Sequence, residues 1–265
     1  MIATVGTLSD LREEKLPSDA MPCLFAFSLG RNLRHLYTGA WFQYRQRPYP
    51  IPQPEVWETK EYPFDAIDIT KPAYLTKIYD QKVRHGVPVS DAVQSDYAKQ
   101  PSLTYSGVVV ATFELGQYLD VPNIAPFLGS DFTLTSVGKG DVPRPMVGVW
   151  GESDMVSVEP GDPTSRFTFN ANHGSITAGG NDSVMSCYAG EDPKQNGRVL
   201  SVRTGSGESG HVIRAEPTPS FTNISIGRAG ERMFKGEFTE AYMHLGDLTK
   251  IGADKQFETA RAQYG

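Results

Sequence analysis

The sequence predicts an all-β fold, a sandwich of antiparallel strands closed by one short helix. Three observations carry this. The 265 residues include 26 glycines and 19 prolines, and aromatics make up 11%. The apolar runs are short and separated by Gly, Asn or Pro signals, the pattern of a sandwich. Helical periodicity is clear only in the C-terminal "GADKQFETARAQYG", where Phe257, Ala260, Arg261 and Tyr264 recur on one face and Asp254 is placed to cap the start.

Residues 1–20 are polar and mixed and are expected to form an N-terminal arm; residues 21–265 read as one domain. Within "LRHLYTGAWFQYRQ", period two puts Trp41, Gln43 and Arg45 on one face of a strand and Phe42 and Tyr44 on the other. The aromatic face is expected to meet a second sheet, and the arginine face loops, solvent or a neighbour. Residues 47–63 carry Pro48, Pro50, Pro52, Pro54 and Pro63 and read as a loop, because proline cannot donate to a ladder. Ala73–Gln81 reads as a buried strand, with Asp80 expected to tie down the following turn through backbone N–H groups. Gln100–Glu114 reads as two strands around Gly107. "GSGESG" (Gly205–Gly210) matches Gly-x-Gly-x-x-Gly, but the alternating "HVIRAE" that follows makes it a hairpin loop rather than a dinucleotide site.

The net charge of −6 argues against nucleic acid as a partner, since that requires a basic face. No apolar run approaches the roughly 20 residues that span a bilayer, so no membrane insertion is expected. The start "MIATVGTLSDLREEK" lacks the charged-then-apolar pattern of a signal peptide, so synthesis in a reducing cytoplasm is the expectation. Cys23 and Cys187 then read as buried free thiols. The five histidines are scattered, and no metal site or other cofactor is expected from them. Calcium alone has candidate donors, in the loops "GGNDS" (Gly179–Ser183) and "GESD" (Gly151–Asp154).

A series of residues in a fixed order points further. Arg34, Leu36, Tyr37, Gly39 and Arg45 are followed by Ile78, Tyr79, Asp80 and Gln81, then by Gln100 and Pro101. The end of the chain, Ile224–Gly265, has a glycine-containing strand, Phe-x-Gly, an acidic strand and a helix closing on Tyr-Gly. Together these resemble the concanavalin A-like β-sandwich of fungal α-L-arabinofuranosidase catalytic domains and related modules of bacteriophage structural proteins. The resemblance implies a jelly-roll sandwich of two antiparallel sheets. It also implies a place for chemistry, because the family's nucleophile is a glutamate in an aromatic-Gly-Asn-Ala-Glu stretch. The matching text is "VWGESDM", which aligns Asp154 with that nucleophile and puts Glu152 two residues earlier, while the Asn-Ala-Glu element is absent.

Two readings of function follow. In the first the protein is a non-catalytic virion component, a capsid decoration, fibre, spike or tail protein. Its partners would be other virion proteins, further copies of itself, and a host-surface glycan that stacks on Trp41, Trp57 or Trp150. In the second it is an arabinofuranosidase-like hydrolase using Glu152 and Asp154.

Overall fold

The computed structural model describes residues 17, 23–47, 57–68, 70–82, 90–105, 107–121, 127–128, 131–151, 155–169, 175–179, 183–192, 197–214, 220–245 and 250–264. In chain order the strands are β1 Cys23–Ser28, β2 Phe42–Gln46, β3 Glu58–Tyr62, β4 Ala73–Ile78, β5 Ala92–Val93, β6 Ser102–Tyr105, β7 Val109–Phe113 and β8 Leu119–Val121. Then come β9 Phe127–Leu128, β10 Phe132–Gly140, β11 Val147–Trp150, β12 Met155–Glu159, β13 Thr164–Phe169, β14 Ser175–Gly179 and β15 Val184–Asp192. The last are β16 Gly197–Thr204, β17 Gly207–Arg214, β18 Ser220–Phe221, β19 Asn223–Ile226, β20 Arg228–Ala229, β21 Arg232–Met233 and β22 Gly236–Leu245, before a helix at Lys250–Tyr264.

The pairings build two antiparallel layers. The first runs β1–β22–β10–β15–β16–β17. The second and larger runs β3–β2–β4–β5–β8–β19–β11–β12–β13–β14. Strands β6 and β7 bridge the layers at one side, joining β4 to β22. The fold is the all-β sandwich expected from the sequence.

Alternation along each strand fills the space between the layers. Phe42, Tyr44, Leu75, Val149, Phe167 and Ile224 of the larger sheet are buried there with Phe25, Phe27, Leu134 and Met243 of the first. Phe132 of β10 stacks on Phe169 of β13 across the gap, with ring centroids 6.3 Å apart. Both cysteines are free and buried, as expected. Residues 197–214 form the expected hairpin, turning at Gly205 and Ser206. Gly107 separates β6 from β7 with φ +90°, a left-handed turn that glycine adopts without strain.

Three local expectations need correction. Residues 58–62 lie inside the segment read as a proline loop but form β3, because the run from Glu58 to Tyr62 contains no proline and its N–H groups pair with β2. The helix begins at Lys250, so Asp254 lies within it rather than capping it. Burial of Phe257 and Ala260 against Val137 and Val184 supports the helix, and cooperativity carries it a turn upstream. Strand β4 ends at Ile78. Beyond it, Asp80 accepts from the Lys82 N–H at 3.1 Å and the Ala26 N–H at 3.0 Å, holding the turn as expected and fastening it to β1. Of the N-terminal arm only Pro17 is among the described residues.

One buried carboxylate fixes the outer face of the first sheet. Glu240 is fully buried, and Arg31 grips it with two hydrogen bonds of 2.9 and 2.6 Å. Ser28 donates to it at 3.1 Å and Tyr264 at 3.0 Å. The loop after β1, strand β22 and the last residue of the helix therefore meet on one group. Removing one partner of a buried pair leaves the other charge uncompensated. Glu240→Ala is expected to lower the unfolding free energy by about 3–5 kcal/mol, and Tyr264→Phe by about 1 kcal/mol, in urea denaturation. Equal stability of all three proteins would contradict the assignment.

His244, two strand positions beyond Tyr242, is also buried, and its Nε2–H donates to the Pro17 carbonyl at 2.7 Å. Burial pushes its pKa below the ordinary 6.5, against the smaller opposing pull of that hydrogen bond. Because the folded pKa is depressed, the unfolded chain binds the proton more tightly, and stability is lost as pH falls through 6.5. Melting temperature should thus decline between about pH 7 and about pH 5, and His244→Gln should flatten that decline; parallel curves for the two proteins would refute it.

Candidate functional site on the outer face of the larger sheet

The outer face of the larger sheet is polar and has a regular register. Asp120, Ser225, Gly148, Ser157 and Thr168 stand opposite one another across β8, β19, β11, β12 and β13. Their neighbours Val149, Val156, Val158 and Ile224 point into the core, so alternation forces this row outward. A Cβ on Gly148 would collide with the Arg228 carbonyl and with Ala229. Glycine there lets the β20–β21 hairpin lie on the sheet and deliver Arg228 and Arg232 to its surface.

Two carboxylates are engaged by those arginines. Arg228 holds Asp120 with hydrogen bonds of 3.1 and 2.6 Å, and Ser225 donates to the same carboxylate at 2.8 Å. Glu159 is fully buried; it accepts from Ser157 at 2.7 Å, Thr168 at 3.0 Å, Arg166 at 2.6 Å and Arg232 at 2.9 Å. A glycosidase needs two carboxyl groups roughly 5–9.5 Å apart, one of them able to give up a proton. Asp120 and Ser157 are three strand spacings apart, about 14 Å, and Glu159 lies farther along β12. The arginine pairs and the separation make these two carboxylates structural ties.

Trp150 is partly exposed at the edge of this network. Its Nε1–H donates to Ser225 at 3.3 Å, and the Arg228 guanidinium lies 5.8 Å from its ring and 3.8 Å from that of Tyr118. An indole held at its edge and flanked by charged donors is a platform against which a sugar face can stack while its hydroxyls find partners. Trp57 is on the same outer face, 4.2 Å from Arg45 and 4.9 Å from Arg47, with Tyr74 against its edge at 5.5 Å. Trp41 is placed differently: it packs on the core beside Tyr62, and its N–H donates to Asn32 at 2.7 Å. Of the three tryptophans proposed for glycan contact, the fold thus gathers Trp57 and Trp150 onto one sheet face and turns Trp41 to packing. Glu152 and Asp154 lie outside the described residues, as do most of the calcium donors in "GGNDS" and "GESD"; among the described residues no three His, Cys, Asp or Glu side chains converge to hold a metal.

Sequence reasoning passed over Asp120, Tyr118, Glu159 and Arg228. One signal was available for Glu159. In "MVSVE" the valines alternate with Ser157 and Glu159, which puts a hydroxyl and a carboxylate side by side on the polar face.

No protein family model matches this chain, and no curated protein matches it in sequence. Among solved structures it is similar to an arabinofuranosidase complexed with arabinofuranosyl-α-1,2-xylobiose, with a TM-score of 0.64 and 14% identity. The match covers 92% of this chain and 63% of that one, so the chain spans under two thirds of its neighbour's length. At this identity the likeness is one of fold.

Glu159→Ala should lower the unfolding free energy by about 3 kcal/mol in urea denaturation, since it strips two hydroxyls and two guanidinium groups of their acceptor. A loss below about 1 kcal/mol, the worth of a single neutral hydrogen bond, would contradict this arrangement.

Proposed function

We propose that the protein is a non-catalytic glycan-binding β-sandwich and acts as a structural component of a virus particle, a bacteriophage capsid decoration, fibre, spike or tail protein. The observation that carries the glycan part is the outer face of the larger sheet, where Trp150 and Trp57 are each set beside guanidinium groups. The paired state of Asp120 and Glu159 supports a binding rather than a hydrolytic role for the described part of that face. The neighbouring structure, an arabinofuranosidase holding a branched saccharide, supports sugar as the ligand class. The virion setting, with its partner proteins and self-association, rests on the resemblance of "LRHLYTGAWFQYRQ" and "KIYDQ" to phage structural modules.

The second reading, an arabinofuranosidase-like hydrolase, is favoured by the same fold likeness and by Glu152 and Asp154 lying two and four residues after Trp150. One pair of measurements separates the two. On a glycan array the protein should retain a saccharide, with Trp150→Ala weakening binding about tenfold. Purified protein should release no sugar from an aryl arabinofuranoside. Turnover abolished by Glu152→Gln or Asp154→Asn would establish the hydrolase instead, and a blank array would remove the glycan reading.

A further inference from the structure

On the first sheet, Met243 and Leu134 point into the core, so alternation sends Tyr242, His244 and Thr133 to the outer face. His244 stands opposite Cys23 of β1 and Thr133 of β10. All four side chains are nevertheless buried: His244 and Tyr242 are 0% exposed, Thr133 1% and Cys23 2%. The chain at Pro17 lies over this spot. Its carbonyl accepts from His244 Nε2–H at 2.7 Å, and Cys23 Sγ is 4.0 Å from the same oxygen. A carbonyl only accepts, so Nε2 carries the hydrogen and the neutral ring leaves Nδ1 bare. Nδ1 has no hydrogen-bond partner, and neither has Thr133 Oγ1 beside it.

Protonation puts a second N–H and a full charge on this ring. Among the described residues it faces Cys23 on β1, Thr133 on β10 and, along β22, the edge of Tyr242 at 5.4 Å. The charged groups nearest in the fold are already engaged with each other. Asp80 pairs with Lys82 at 3.2 Å beside β1, and Glu240 with Arg31 at 2.6 Å beyond Tyr242. A buried charge with no counter-ion is costly, and contact with water relieves the cost. Burial accordingly holds the His244 pKa below 6.5. Strand β22 does not supply the opening, because β1 and β10 are laddered to its two edges. The contact at Pro17 reaches the strand through the His244 and Cys23 side chains, and is the side that yields.

We propose that His244 is an acid-sensitive latch: neutral, it holds the chain at Pro17 over Cys23; protonated, it releases Pro17 and uncovers the thiol. The latch is on the opposite sheet from the tryptophan face and is independent of the glycan reading. Its sign follows from the depressed pKa. The closed form binds the proton less tightly than the open one, so the open fraction grows as pH falls below 6.5, by up to about tenfold per pH unit. Cys187 supplies an internal reference. It is 0% exposed within the core between the sheets, and reacts only when the sandwich itself opens.

Thiol labelling of the full chain with dithiodipyridine tests this, with rates normalised to glutathione at the same pH. From about pH 7.5 to about pH 5, one thiol per chain should become about tenfold faster to react, and Cys23→Ser should remove it. His244→Gln keeps an N–H donor for the Pro17 carbonyl without a titrating ring, and should stay at the slow rate at both pH values. Equal normalised rates in the wild type would overturn the inference. So would an undiminished rise in a folded His244→Gln, or a fast thiol that survives Cys23→Ser. Should His244→Gln not fold, the wild-type stoichiometry decides. One reactive thiol supports the latch; both thiols reacting in step mean that the whole sandwich opens, which overturns it.

Discussion

Glu240 is a carboxylate with no exposure, and Arg31, Ser28 and Tyr264 all reach it. A charge removed from water must find donors, and few geometries supply them. Here they come from the loop after the first strand and from the last turn of the chain. The requirement therefore fixes where both ends of the described fold sit, on the outer face of the first sheet. Asp80 and Gln81 extend the same fastening: Gln81 accepts from Leu33 at 2.8 Å, and Lys82 spans from Asp80 to the Leu24 carbonyl at 2.7 Å. That side is closed by the helix and these loops, and the larger sheet presents its outer face on the other.

On that face the same rule is met twice. Asp120 and Glu159 are each held by arginines and hydroxyls, which fixes the hairpin and the rings around them. Among the described residues Arg45 is met by three rings, Gln100 and the Tyr97 carbonyl. Charges paired in this way make a rigid frame.

Much of the sandwich was legible in the sequence, because period-two alternation is a local property. Period two sends Phe42 and Tyr44 to the core side and Arg45 to the other, and both placements hold. The hairpin at residues 205–206 and the two strands around Gly107 were legible for the same reason. The environment of Arg45 was not, since Trp57, Tyr74 and Tyr97 come from three other segments that only the sheet order brings together. Arg228 was equally hidden, because its role depends on a hairpin that settles on Gly148, a contact without sequence spacing. Asp80 and Gln81, part of the family resemblance, have a physical role in the fold: their side chains accept from the Ala26 and Leu33 N–H groups.

The central claim is that the outer face of the larger sheet, from Trp57 to Trp150, receives a saccharide. The three tryptophans give three separate indole N–H signals, which makes nitrogen–proton correlation spectra the most direct test. On titration with a bound oligosaccharide, the Trp57 and Trp150 signals should shift together while that of Trp41, committed to Asn32, stays in place. Movement of the Trp41 signal alone, or of none of the three at saturating ligand, would contradict the account.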